Sequence, residues 1–156
     1  MTTVAGQDDA IEAIKQLKAR YFRLMDTKQW DAYRQVFTDD MAFYFESEDA
    51  PTATSGDEFV AFVRSRLATA LTVHHGLMPE IELTSPDSAR GVWAMSDWVD
   101  DPDQQRAFRG FGHYHEEYRR GGDGQWRISR LRLSRLRVDE VAPSSGGVSR
   151  STPAPR

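Results

Sequence analysis

The sequence predicts an α+β domain: a curved antiparallel sheet with three N-terminal helices across its open side, forming a cone with an interior pocket. Three observations predict it. Apolar residues recur at helical spacing from Ile11 to Leu71. From Val73 onward the period changes to two. The alternating segments are separated by turn signals, Ser85-Pro-Asp-Ser88, Asp100-Asp-Pro-Asp103 and Gly121-Gly-Asp-Gly124. Helices first and hairpin-linked strands last is an order that packs helices on one sheet face.

Residues 1–8 are expected to form a flexible start. Asp9 and Glu12 have the spacing of a capping box. Ile11, Ile14, Leu17, Tyr21, Leu24 and Met25 follow at helical spacing, so the first helix is expected over 9–26. Asp26-Thr-Lys-Gln29 repeats the capping pattern and opens a short second helix. Its apolar face is Trp30, Tyr33, Val36 and Phe37, and Thr38-Asp-Asp40 ends it. Met41-Ala-Phe-Tyr-Phe45 reads as a short strand, and 46–54 as a loop. Ser55-Gly-Asp-Glu58 opens the third helix, with Phe59, Phe62, Val63, Leu67 and Leu71 along one face. Long strands follow over 73–83, 89–100, 108–119 and 126–138. The last changes phase between Ile128 and Leu131 and again before Leu136, which predicts a bulge or strong bend. One domain is expected over 9–139, and the Pro- and Ser-rich residues 140–156 are expected to be a disordered tail.

Composition narrows the function classes. The chain has 156 residues and a net charge of −4, with no basic block apart from arginines alternating with apolar residues over 127–137. A nucleic-acid partner is therefore not expected. There is no cysteine, which excludes disulfides, thiolate metal sites and cysteine nucleophiles. The N-terminal residues lack the pattern of a signal peptide, and no apolar run approaches the ~20 residues of a membrane span. A cytoplasmic location away from membranes is expected.

Several polar residues fall where a pocket would be. Tyr21 lies in the apolar stripe of the first helix, as a core tyrosine or as a hydroxyl donor into the pocket. Asp26 lies off that face, so it either caps the second helix or turns inward because the first helix ends there. His74 and His75 point to opposite sheet faces, and alternation with Val73, Leu77 and Ile81 selects His75 as inward. Histidine in an apolar pocket can accept and return a proton. Asp97 shares parity with Trp93 and Met95; if inward it is either paired with His or Arg or partly protonated, and if the parity is inverted it faces water. Arg135 and Arg137 share parity with Leu131 and Leu133, so either one points inward or both belong to an exposed ladder. His113 and His115 flank Tyr114 without conventional metal-ligand spacing, and no metal is expected.

Taken together, Tyr21-Phe-Arg-Leu-Met-Asp26, Trp30-Asp, Phe37-Thr-Asp-Asp40, His74-His75, Pro79-Glu-Ile81, Ala89-Arg-Gly-Val-Trp93, Gly112-His-Tyr-His-Glu-Glu-Tyr118 and Trp126-Arg-Ile128 form a recognisable set. It resembles the SnoaL-like family of the nuclear-transport-factor-two-like superfamily over residues 9–139. The resemblance implies a cystatin-like α+β barrel with a deep apolar pocket. The functional likeness is to bile-acid 7α-dehydratases, and more distantly to scytalone dehydratase and steroid Δ-isomerases.

By position, that likeness implies catalytic roles for Tyr21, Asp26, His74, Asp97 and Arg137, and it selects His74 where alternation selects His75. Trp30, His75, Trp93, Met95 and Tyr114 are the expected substrate contacts. The implied activity is dehydration or double-bond isomerisation of an apolar, steroid-like or polycyclic hydroxy-ketone, without metal or organic cofactor. His74 would be the base and Tyr21 the donor to an enolate oxygen. One fold hosts many functions, so two other readings stand beside it: a non-catalytic binder of an apolar small molecule, and an accessory subunit of a ring-hydroxylating dioxygenase-type assembly. Apolar positions on the long strands lead to an expectation of a homo-oligomer, a dimer or trimer.

Overall fold

The computed structural model describes residues 4–145, with side chains from Gly6 onward. Helices α1 (Val4–Asp26), α2 (Trp30–Arg34) and α3 (Gly56–Leu67) accompany strands β1 (Phe37–Phe45), β2 (Leu71–Ser85), β3 (Ser88–Asp101), β4 (Arg106–Arg120) and β5 (Trp126–Glu140). The sheet order is β1-β5-β4-β3-β2. The helices cover its inner face, and Ile14, Leu17, Tyr21, Tyr33 and Phe59 pack with Trp93, Tyr114, Tyr118, Ile128 and Leu131. This is the expected α+β cone. No helix among the described residues is long and apolar enough to cross a membrane.

Several boundaries differ from the sequence reading; Leu71, for example, opens β2 instead of extending α3. Helix α1 begins at Val4, so Asp8 and Asp9 are exposed residues within it and the Asp9 capping box is absent. Acidic side chains are tolerated there because both are exposed to solvent. Helix α2 spans only Trp30–Arg34, and its N-cap is Gln29. Val36 and Phe37 leave the helix because the backbone there pairs with β5, where the Ile128 amide donates to the Val36 carbonyl at 2.9 Å. Strand β1 then runs parallel to β5, so the sheet is mixed. No hairpin joins these two strands, so no turn dictates their sense. Of the expected tail, Glu140 closes β5. The Val141 amide donates to the Ala107 carbonyl at 3.0 Å, and the Ser144 amide to the Asp100 carboxylate at 3.1 Å. Residues 1–3 and 146–156 lie outside the described residues.

The end of α1 positions the site. The Lys28 amide donates to the Met25 carbonyl and the Gln29 amide to the Leu24 carbonyl, while Lys28 has a left-handed φ of 61°. This is a Schellman ending with lysine in the usual glycine position. The chain turns away after Asp26, whose side chain no longer belongs to the solvent face of a continuing helix.

Bulges decide which strand residues face inward. The β2–β3 register shifts between Leu77 and Glu80, at Met78, which has a φ of 42°. Before this shift Thr72 and His74 are buried and His75 is exposed; beyond it Ile81 and Leu83 pack on the core. Alternation read through Leu77 and Ile81 therefore pointed to the wrong histidine. In β5 the register against β4 shifts twice, once between Ile128 and Arg130 and once between Arg135 and Arg137. Leu136 is the extra residue of the second shift. Arg135 lies inside with Leu131 and Leu133, while Arg137 sits opposite the exposed Phe111 and pairs with Asp139. The expectation of an inward Arg137 is thus corrected to Arg135. Gly112 permits the second bulge: a Cβ there would collide with the Ser134 carbonyl oxygen.

Three stability outcomes are expected. Because the obstruction at Gly112 is backbone, Gly112→Ala should destabilise the fold by about 1–3 kcal/mol in denaturant unfolding. Arg135→Met should cost about 3–5 kcal/mol by leaving Asp97 buried and unpaired. Arg137→Met should stay within about 0.5 kcal/mol, since its pair with Asp139 is at the surface.

Candidate active site

Between the helices and the sheet lies a cavity of about 220 Å³. Its walls are apolar and largely aromatic, including Phe43, Phe45, Phe59, Phe62, Val99, Phe108, Leu131 and Leu133. The polar lining is confined to a few side chains, among them Tyr21, His74, Asp97, Tyr114 and Arg135. Glu48, Thr52 and Arg66 are exposed members of the lining, where the cavity reaches the surface.

His74 is held from two sides. Asp26 Oδ2 accepts from the His74 backbone amide at 2.8 Å, and Asp26 Oδ1 lies 2.7 Å from His74 Nδ1. Thr72 Oγ1 donates to the same Oδ1 at 2.9 Å and accepts from Lys28 Nζ at 2.7 Å. A carboxylate is disfavoured at a helix C-terminus, and these donors compensate it. With Nδ1 given to Asp26, the hydrogen-bond network assigns the proton to Nδ1 and leaves the Nε2 lone pair free. Nε2 lies 3.9 Å from Asp97 Oδ2.

Asp97 is inward and almost wholly buried, its side chain 3% exposed. Both its oxygens accept from Arg135, Oδ1 from Nη1 and Oδ2 from Nη2, each at 2.7 Å. Burial works against the Arg135 charge, yet the Asp97 hydrogen bonds and charge outweigh it and raise the guanidinium above its usual value. Gly110 gives this pair its room, because a Cβ there would overlap both the guanidinium and the carboxylate.

Tyr21 contacts the Tyr33 and Tyr114 rings, at centroid separations of 5.3 and 5.9 Å. Burial drives all three phenols well above the ordinary tyrosine range, so they stay protonated as donors.

The structure thus brings Tyr21, His74, Asp97 and Tyr114 to the cavity wall and places Asp26 directly behind His74. Five expected positions lie elsewhere. Arg137 is outside, as described above. His75 is exposed in a groove behind the dyad. Trp30 packs against Tyr33 at the helix layer. Trp93 is turned to the core beyond the cavity, where its indole donates to Tyr118 at 2.8 Å. Met95 is buried beside Arg135 Nη1 at 3.9 Å. His113 and His115 have ring centroids 6.1 Å apart, outside the cavity. The sequence reading passed over Thr72, which shares parity with His74, and Lys18, which lies three residues before Tyr21 on the same helical stripe.

The SnoaL-like domain family matches residues 8–132. The chain is 29% identical over 144 residues to "Probable cyclase FGR4" of Gibberella zeae, covering 85% of this chain and 95% of the relative. Among solved structures it resembles hexachlorocyclohexane dehydrochlorinase LinA type 2, with a TM-score of 0.79 at 17% identity over 94% and 99% of the two chains. It also resembles a provisionally named scytalone dehydratase of Novosphingobium aromaticivorans, with a TM-score of 0.79 at 16% identity over 94% and 100%. These two likenesses concern the fold. Matched over most of its length by that family, the chain belongs to the SnoaL-like family of the nuclear-transport-factor-two-like superfamily.

Proposed function

We propose that the protein is a lyase or isomerase that uses its own side chains for proton transfer on an apolar, ring-bearing carbonyl compound. One observation carries the reading: an Asp26–His74 pair, joined through Nδ1, on the wall of a largely apolar cavity that Tyr21 also lines. The cyclase name of the Gibberella zeae relative and the dehydrochlorinase and dehydratase names of the structural neighbours support it.

In a dehydration, His74 Nε2 takes the proton from the carbon beside the carbonyl. The C–H electron pair forms the enolate, and Tyr21 and Tyr114 donate to its oxygen. Collapse of the enolate forms the C=C bond and expels the hydroxyl, which takes the proton back from the imidazolium and leaves as water. Isomerisation uses the same first step and returns the proton to a different carbon. Asp26 orients the ring and, with Asp97, stabilises the transient imidazolium; Arg135 keeps Asp97 in place. Polycyclic hydroxy-ketones, steroid-like compounds among them, suit the aromatic walls.

The test is incubation with a panel of cyclic β-hydroxy-ketones, following water loss by mass spectrometry and α-proton exchange in D2O by NMR. Wild-type protein should accelerate both. His74→Ala should lower the rate about 10²–10⁴-fold, and Tyr21→Phe about 10²-fold. Wild-type turnover by a folded His74→Ala protein would sink the reading. Tight ligand binding with no consumption would favour a non-catalytic binder, and a copurifying large subunit would favour an accessory role.

Gly110→Ala gives a second check on the same chemistry. The added Cβ would overlap Arg135 Nη1 and Asp97 Oδ1, so this pair must shift. Turnover should fall while the circular dichroism stays folded; an unchanged rate would remove Asp97 from the mechanism.

A further inference from the structure

Behind the cavity tyrosines lies a polar network that the proton-transfer scheme leaves unused. Lys18, on the inward stripe of α1, is fully buried. Its ammonium pairs with Glu116 of β4, also buried. Glu116 accepts in turn from the Tyr118 hydroxyl, which accepts from the Trp93 indole at 2.8 Å. Such a pair is costly to bury, and aliphatic residues of similar size would fill the space. Its geometry suggests what it does there.

Lys18 Nζ lies 3.6 Å from the Tyr21 ring centroid and 3.8 Å from that of Tyr114. The ammonium therefore touches the faces of two rings that line the cavity. A cation on a phenol face withdraws electron density from the ring and makes its O–H a stronger donor. Burial lowers the Lys18 pKa to about 8, with the charge and hydrogen bond of Glu116 opposing that fall, so the group is cationic at neutral pH.

We propose that Lys18 is a positioning residue of the cavity: held by Glu116 against the rings of Tyr21 and Tyr114, its ammonium strengthens their hydroxyls as donors to an oxygen anion. The inference rests on the reading that these hydroxyls serve a developing enolate, and it extends that machinery to a group that never meets the substrate. Glu116 holds the ammonium in place, and Tyr118 and Trp93 hold Glu116.

The test needs no turnover. Lys18→Met alone leaves Glu116 unpaired and risks misfolding, so the main variant is the neutral pair Lys18→Met/Glu116→Gln. Binding of 2,4-dinitrophenolate, an oxygen anion fully ionised at neutral pH and with its own absorbance, is compared there with binding of nitrobenzene, an uncharged nitroarene. The variant should lose about ten-fold in its preference for the anion, with nitrobenzene affinity unchanged. If both affinities fall together, or neither falls, Lys18 has only a structural role and the proposal is overturned. Failure of this assay with elimination intact removes Lys18 alone. A normal result with no turnover on any ketone removes the catalytic reading and leaves the donor-tuning role.

Discussion

The junction of Asp26 with His74 is the constraint on which the site depends. It joins the end of the first helix to the second strand, two segments 48 residues apart in the chain. Asp26 takes both the backbone amide and the ring nitrogen of His74, so one carboxylate fixes strand position and ring orientation together. This requires α1 to stop at Asp26. The left-handed Lys28 provides the stop, and its side chain then secures Thr72, a third anchor on the same carboxylate. Glycine would relieve the backbone strain at Lys28 and lose that anchor.

Much of the fold was legible because periodicity reports burial. The helical stripe of α1 and the alternating strands follow directly from which residues pack on the core. Legibility failed where the period was interrupted. A bulge at Met78 reverses which parity of β2 faces inward, so alternation chose His75 over His74. The bulge at Leu136 separates Arg135 from Arg137, which strict alternation keeps on one face. The phase switch in the final strand did announce a bulge, but hydrophobicity alone could not say which arginine it would turn outward. The parallel pairing of β1 with β5 left no local trace, because both strands are short of any connecting turn.

Asp26 shows the opposite kind of ambiguity. Its sequence neighbourhood fits an N-cap, and an aspartate at a helix junction is commonly one. What overrides the local preference is tertiary: three donors converge on the carboxylate from β2, a segment that no local window includes. The family resemblance placed Asp26 and His74 by position, and it misplaced the arginine by one bulge. Positional transfer is thus least dependable on strands whose register shifts.

The polar groups of the core fall into two sets that share a boundary at the tyrosine rings. On the cavity side, His74, Asp97 and Arg135 surround space that a ligand can enter. On the far side, Lys18, Glu116, Tyr118 and Trp93 are linked to one another. Tyr21 and Tyr114 belong to both, since they line the cavity and hold their ring faces against the Lys18 ammonium. A buried ion pair offers little net stability over well-packed aliphatic side chains. Its position against these two rings instead makes physical sense as a fixed field: a charge already desolvated and oriented needs no reorganisation when negative charge develops on the other side of the phenols.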